Sequence, residues 1–228
     1  MSSLTTPLNE SLGNRLRKLW RDDGLSIAFF TLFILCLIPQ GLTGWADYNG
    51  SLKSAHFPPV SLGAYLRTGN FLDGAFSNWQ AAILQLAVLI AFSAVLRQKG
   101  AAHSRKPEGF GHRSLYLRLR RRDTLADTLY ANSLSLAFIA MFIIAFGLHL
   151  LFGSWRYNEQ QTLQHLPTLS TLSYAGSADF WFSVFQCWEA EFGAIGLYVV
   201  LSIFLRQENS PESKKVEARD GDTGETNE

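Results

Sequence analysis

Long stretches without charged side chains constrain this chain more than any other feature. Residues 24–46 and 74–96 each contain 23 positions without Asp, Glu, Lys or Arg, and residues 128–155 contain 28. About 20 apolar residues in a helix cross the hydrocarbon core of a bilayer. A fourth block, residues 192–205, reaches that length when its flanking aromatic and basic residues are included. The sequence therefore predicts four transmembrane helices.

Basic residues are distributed unevenly among the segments that connect these blocks. Residues 97–131 contain nine basic and three acidic residues, whereas residues 45–73 contain two basic residues and residues 154–187 contain only Arg156. Because Lys and Arg are retained on the cytoplasmic side of a membrane, we expect both termini and the central linker to be cytoplasmic. Topology and anionic lipid headgroups explain the basic runs, so no nucleic-acid partner is predicted.

The sequence repeats itself at a spacing of 109 residues. Without a gap, residues 25–98 match residues 134–207 at 22 of 74 positions. Each copy crosses the membrane twice and returns to its starting side, so both copies have the same orientation. The predicted fold is all-α: a polytopic membrane protein with four transmembrane helices, arranged as two tandem parallel repeats of a two-helix unit.

This organisation divides the chain into five segments. They are a cytoplasmic interfacial helix at 1–23, a first repeat with an outer helical loop at 24–98, a basic cytoplasmic linker at 99–131, a second repeat of the same type at 132–207, and a polar tail at 208–228. The interfacial helix is predicted to begin at Thr6 and Pro7 and to end near Gly24. The tail is acid-rich and poor in large apolar residues, which predicts disorder.

Several short motifs make the chain resemble a known family across roughly residues 20–215. They are Leu42-Thr43-Gly44-Trp45 with Tyr48-Asn49, the aromatic residues Phe71, Phe76 and Trp79, and the helix exits Leu96-Arg97-Gln98 and Phe204-Leu205-Arg206-Gln207. The chain resembles small, internally duplicated bacterial membrane proteins that are catalogued as a domain of unknown function. The resemblance implies a multi-pass protein of the bacterial inner membrane and no specific activity. Relatives carry acidic residues at the start of both second helices, but Gln80-Ala81-Ala82 here has none.

All four predicted helices place polar side chains at a similar depth. At about 1.5 Å per residue, these side chains lie about 22–25 Å from the cytoplasmic boundary, near the outer edge of the hydrocarbon core. They are Gln40, Gln80, His149, Glu189 and Glu191. Two interpretations remain open. They are ordinary groups of the outer interface, or they line a polar pocket between the two halves.

Within this polar layer, Glu189 and Glu191 point to nearly opposite faces of one helix. We expect Glu189 to be the pocket residue, because it shares its face with the small residues Gly193 and Gly196. A His149–Glu189 pair could hold a proton near neutral pH, although His149 could equally be a hydrogen-bonded structural residue.

Residues that anchor the helices and shape the outer loops also recur in both copies. The interface anchors are Trp79 with Trp188 and Arg97 with Arg206, and the outer-loop pairs are Tyr48 with Tyr157, Asn49 with Asn158 and His56 with His165. The tyrosine and asparagine pairs are expected to cap or pack the extended helices. The two histidines precede prolines in turns and lack a third ligand with suitable spacing, so neither a metal site nor a cofactor is predicted.

Three classes of function remain. A non-enzymatic role in binding, sensing or structure, through the extracytoplasmic helical lobes, is the favoured hypothesis. The alternative is a small oligomeric transporter or channel that uses the polar layer between the repeats. An enzyme is disfavoured, because no catalytic constellation appears at useful spacing. The expected partner is the lipid bilayer, a homo-oligomer fits either function, and no small-molecule substrate can be identified.

Overall fold

The computed structural model describes residues 12–104 and 124–224, and within these ranges all regular structure is helical. The helices are α1 (Leu12–Ser54), α2 (Leu62–Tyr65), α3 (Gly69–Val95), α4 (Leu125–Ala131), α5 (Ser133–Leu163), α6 (Thr171–Ala175) and α7 (Ala178–Phe204). Within the described ranges, α1, α3, α5 and α7 are long and apolar enough to cross a membrane. The prediction of an all-α polytopic membrane protein with four such helices is confirmed.

Among the described residues, the apolar surfaces of these four helices are largely exposed. Between 0% and 17% of the residues in their most apolar windows are buried. A soluble protein rarely exposes so much contiguous apolar surface, whereas a bilayer supplies an apolar solvent for it. The helices therefore have the surface character of lipid-facing elements.

The first helix differs from the predicted boundary at Gly24. α1 runs without a break from Leu12 to Ser54, and the indole of Trp20 lies over Gly24. Glycine costs only about 1 kcal/mol inside a helix, which is too little to end one within a long apolar run. Residues 12–23 thus extend α1 instead of forming a separate interfacial helix, and the predicted start at Thr6 and Pro7 lies outside the described residues.

The segments that follow α1 and α5 have the same local structure, 109 residues apart. The Asn49 side chain donates to the Val60 carbonyl at 3.0 Å and accepts from its N–H at 2.8 Å. Asn158 makes the same two bonds to Leu169, both at 2.8 Å. In each case one amide side chain satisfies both polar groups of a loop residue.

The same correspondence continues through the turns and the short helices. His56 and His165 have φ angles of 61° and 56°, the left-handed region, in the turns that end α1 and α5. Ser61 and Ser170 then cap α2 and α6 by accepting from backbone N–H groups three residues on. Tyr48 packs on Tyr65 at a ring-centroid distance of 5.5 Å, and Tyr157 packs on Tyr174 at 5.4 Å.

The chain separates into two compact units at Leu66. The first unit contains α1 and α2, which contact each other. In the second unit α3 packs along α5 and also contacts α7, while α6 contacts both α5 and α7. The boundary falls inside the predicted first repeat, 24–98, because α3 packs chiefly against a helix of the predicted second repeat.

The basic linker predicted at 99–131 is described only at its two ends, since residues 105–123 lie outside the described residues. Helix α4 forms the C-terminal end of this linker. Thr124 caps α4 by accepting from the N–H of Asp127 at 3.2 Å, and Asn132 separates α4 from α5.

The C-terminal segment is more ordered than its composition predicts. Residues 208–224 form a series of turns in which Lys214 is buried. The Lys214 ammonium donates, at 3.1–3.2 Å, to the backbone carbonyls of Arg219, Asp220 and Asp222. The Gly100 N–H, beyond the end of α3, donates to Thr223 at 2.9 Å. Backbone carbonyls supply most of these bonds, so composition alone does not reveal them.

Candidate functional site

A partly buried ionic cluster joins four helices of the second unit at one end. Its centre is Arg156 in α5, whose Nε donates to Asp73 Oδ2 of α3 at 2.7 Å. Its Nη2 donates to Asp179 Oδ2 of α7 at 2.6 Å and to the Tyr174 hydroxyl of α6 at 3.4 Å. We call Asp73, His149, Arg156, Tyr174 and Asp179 the Arg156 network. The planar guanidinium presents five N–H donors in a rigid fork, a geometry that the lysine ammonium lacks.

His149 and Asp73 are in contact with each other and are both buried. His149 is fully buried, and its Nε2 lies 3.5 Å from Asp73 Oδ1 and 3.3 Å from the Ser183 hydroxyl. Among the described residues, Asp73 Oδ1 and His149 Nδ1 have no hydrogen-bond partner. Buried polar atoms without a partner are uncommon and point to strain or function.

The charges of the Arg156 network do not balance when His149 is neutral. Two carboxylates, Asp73 and Asp179, face one guanidinium. One proton held between Asp73 and His149 would neutralise the remaining negative charge. Neutrality matters most at Asp73, because its side chain is 8% exposed and buried charge is costly, whereas the side chain of Asp179 is 40% exposed.

Tyr174 connects the Arg156 network to the apolar core of the second unit. It is fully buried, and with Phe180 and Val184 it forms the core cluster at this end. Its hydroxyl donates to Asp179 Oδ2 at 2.8 Å. Burial raises the pKa of Tyr174 well above its usual range, and the hydrogen bond to Asp179 raises it further. The phenol therefore acts as a permanent donor.

Two glycines allow the helices to approach closely enough for these contacts. A Cβ on Gly69 of α3 would lie 2.5 Å from the carbonyl carbon of Trp155 and closer still to the Arg156 nitrogen, both in the α5 backbone. A Cβ on Gly153 would lie 3.0 Å from Asp73 Oδ1. Gly69 thus lets α3 approach the α5 backbone, and Gly153 leaves room for the side chains of Asp73 and Tyr174.

A carboxylate of α5, Glu159, holds the start of α3. Glu159 accepts from the N–H groups of Gly69 at 2.7 Å and Asn70 at 3.2 Å. These N–H groups have no partner inside their own helix, and negative charge near a helix N-terminus is favourable. Glu159 and Arg156 therefore bind the same end of α3 from one helix.

The structure places the predicted polar layer in very different environments. Gln80 and His149 are both fully buried in the second unit, and the Trp188 indole donates to Gln80 at 2.9 Å. Glu191 is half-buried, and its carbonyl accepts from Gln85 at 3.2 Å. Gln40 belongs to the first unit and is exposed.

Glu189 does not occupy the position expected of a pocket residue. Its side chain lies on the exposed face of α7, while the neighbouring Trp188 faces Gln80. The carboxylate beside His149 belongs instead to Asp73, on α3. The expected His149–Glu189 pair is therefore replaced by a His149–Asp73 pair.

The predicted anchors and outer-loop residues have structural partners. The Arg97 guanidinium donates to the Ser93 and Leu96 carbonyls, and that of Arg206 donates to the Ile203 and Leu205 carbonyls. Trp79 is exposed and Trp188 is half-buried. Within residues 12–104 and 124–224, no group of His, Cys, Asp and Glu has the arrangement of a metal site.

Sequence reasoning missed Asp73, Tyr174, Asp179 and the role of Arg156. One signal could have found two of them. Asp73 immediately precedes the apolar block at 74–96, and Arg156 immediately follows the block at 128–155. Both ends lie on the same predicted side of the membrane, so opposite charges at matching depth indicate an ion pair between those helices.

Four apolar helices and a buried ionic network at one end define a multi-pass helical membrane protein. The chain belongs to the family described as Domain of unknown function (DUF6766), which matches residues 16–225. Membership of an uncharacterised family, expected from the sequence motifs, is confirmed. No curated protein and no solved structure matches the chain.

Proposed function

We propose that this chain is a non-enzymatic protein of the bacterial inner membrane, with both termini cytoplasmic, that uses a rigid extracytoplasmic lobe for binding in a structural or sensing role. The outer lobe comprises α6, the end of α5 from His149 onward, and the first turns of α3 and α7. The charge bias between the connecting segments supports this orientation, because the outer lobe lies at the end opposite the basic linker.

The observation that carries the proposal is the position of Arg156. One guanidinium bonds to side chains from α3, α6 and α7 while Glu159, one turn further along α5, holds the start of α3. Such a network is costly to bury and contributes geometric specificity more than stability. It therefore suits an element whose purpose is to present a fixed surface.

The outer lobe also presents large apolar side chains that the chain does not cover. Leu172 of α6 is 85% exposed, and Phe182 and Phe185 of α7 are 70% and 56% exposed. Aromatic residues at this depth contact lipid headgroups. Leu172 lies beyond the span of α7 and remains available to a binding partner.

The recurring local structure supports an internal duplication. The Asn49 and Asn158 bonds, the histidine turns and the serine caps occur at the same spacing as the sequence matches. The Arg156 network has no equivalent in the other copy, because the positions that match Arg156 and Asp179 are Asp47 and Asn70. The duplication thus supplies the scaffold, and the network is a feature of one half.

A second candidate function is proton-coupled transport, by a small oligomeric transporter or channel. The observation in its favour is the buried Asp73–His149 contact, in which each residue retains one polar atom without a hydrogen bond among the described residues. Ionisable groups of this kind form proton relays in transporters.

One experiment separates the two functions. Photo-crosslinkers placed at Leu172 and Phe182 in living cells are expected to form a discrete adduct that Arg156→Met abolishes, because that variant releases the outer lobe. A crosslinker at Leu35, which is exposed in the middle of α1, is the matched control and is expected to yield only lipid adducts. Identical adduct patterns at all three positions would contradict the binding role.

The matched measurement for transport is proton flux in reconstituted vesicles under a pH gradient. The binding role predicts that the wild type conducts no more than protein-free vesicles. Flux that Asp73→Asn and His149→Ala both abolish would favour the transporter and overturn the main proposal.

A further inference from the structure

A cleft lies between α3 and α7 at the ends farthest from the Arg156 network. Its volume is about 290 Å³. Its walls are formed by Val88, Leu89 and Phe92 of α3 and by Phe192, Ile195 and Val199 of α7. The two helices that form the cleft are long and apolar enough to cross a membrane. A volume at the low end of the range for ligand sites suits one slender apolar ligand.

The mouth of the cleft is lined by polar and basic side chains. Arg97, His103 and Ser104 follow α3, and Tyr198 lies opposite on α7. The rings of His103 and Tyr198 stack at a centroid distance of 5.6 Å. An apolar slot with basic and hydroxyl donors at one end matches an amphiphile whose headgroup is an anion.

The chain itself already places a carboxylate at this mouth. His103 Nε2 lies 2.8 Å from Glu212 Oε2, and the Tyr198 hydroxyl lies 3.2 Å from the same oxygen. The Tyr198 hydroxyl also donates to the Glu212 carbonyl at 2.9 Å. Glu212 comes from the coil of residues 208–224, and its apolar stem is too short to fill the cleft. The contact with the Glu212 carboxylate therefore indicates that His103 and Tyr198 suit a carboxylate headgroup.

We propose that the cleft binds a long-chain fatty acid, with its chain between α3 and α7 and its carboxylate on His103 and Tyr198 in place of Glu212. A fatty acid fits better than a phospholipid for two reasons. The mouth recognises a carboxylate, and the cleft accommodates one chain instead of two. Glu212 acts as an internal competitor that leaves when the ligand enters. The site is independent of the outer lobe and of its proposed function.

The test is equilibrium binding of tritiated oleate to the full chain in phosphatidylcholine nanodiscs. Ile195→Trp fills the cleft and is expected to raise the Kd at least about tenfold, since it displaces the chain from its apolar contacts. Val200→Trp is the matched control, because Val200 is 51% exposed on α7 and does not line the cleft. It is expected to leave the Kd unchanged.

Two surface variants keep the proposal testable if Ile195→Trp fails to fold, which thermal unfolding by circular dichroism reveals. His103→Gln is expected to weaken binding about tenfold, because a charge-assisted hydrogen bond to the carboxylate is lost. Glu212→Gln is expected to tighten binding several-fold, because the competing carboxylate is removed. An unchanged Kd in both variants would overturn the proposal.

Competing ligands identify the headgroup. Unlabelled oleate is expected to displace the tracer, whereas methyl oleate, which has the chain without the charge, is not. Equal displacement by the ester would show simple partition into apolar surface. Displacement by lysophosphatidylglycerol at lower concentration than by oleate would show that the ligand is a phospholipid. Either result would contradict the fatty-acid site.

Discussion

Arg156→Met is expected to destabilise the second unit by about 3–5 kcal/mol, because it leaves the buried Asp73 carboxylate without its cation. Asp73 loses the donor at 2.7 Å, while Asp179 keeps the Tyr174 hydroxyl. The methionine side chain preserves much of the volume, so most of the loss is electrostatic. The free energy of unfolding in detergent micelles, measured by steric trapping, checks the prediction.

Two further variants identify the cause of that loss. Arg67→Met removes an exposed arginine and is expected to change stability by less than about 0.5 kcal/mol. Adding Asp73→Asn to Arg156→Met is expected to recover part of the loss, because the uncompensated buried charge disappears. A double variant that loses the full sum of the two single effects would show that the residues do not interact.

Gly69→Ala is expected to destabilise the chain by about 1–3 kcal/mol, because the new methyl group would clash with the backbone of α5. The atoms it meets belong to Trp155 and Arg156, and main-chain atoms cannot move aside as a flexible side chain can. Separation of α3 from α5 would also lengthen the bonds that Glu159 makes to Gly69 and Asn70. The measurement is again the free energy of unfolding in micelles.

Gly147→Ala is the matched control, because a Cβ at Gly147 of α5 would meet nothing within 4 Å. It is expected to be neutral or to stabilise the helix by up to about 1 kcal/mol, because alanine has the higher helix propensity. Equal destabilisation by both substitutions would show that helix propensity or membrane insertion, and not close packing at Gly69, controls the effect.

The transmembrane helices could be predicted because each depends on local composition alone. A charge-free run that is long enough to cross a bilayer predicts a transmembrane helix, whichever other helices pack against it. The short helices of the outer loops could also be predicted from the sequence, since serine, the residue type of Ser61 and Ser170, commonly caps helices. The ends of helices are predicted less accurately, because α1 continues through Gly24, where an end was expected.

The site could not be predicted in full because it depends on which helices pack together. Gln80 and Glu189 are 109 residues apart, which is the spacing of the sequence matches. This correspondence predicts that the two side chains lie in one shared environment. The structure buries Gln80 completely and exposes Glu189, because α3 packs along both α5 and α7. Matched positions 109 residues apart share local structure in the segments after α1 and α5, yet the burial of a side chain depends on neighbours that the sequence matches do not specify.

Cysteine labelling in intact spheroplasts tests the central claim most directly, namely that the Arg156 network lies in a lobe on the side of the membrane opposite the chain termini. The free thiols Cys36 and Cys187 are first replaced by serine. Leu172→Cys in α6 and Val216→Cys in the C-terminal coil are both exposed sites, and the 27 residues of α7 separate them by about 40 Å.

A membrane-impermeant maleimide is expected to label Leu172→Cys in intact spheroplasts and to label Val216→Cys only after the membrane is permeabilised. Labelling of Val216→Cys before permeabilisation, or labelling of both sites from the same side, would contradict the account.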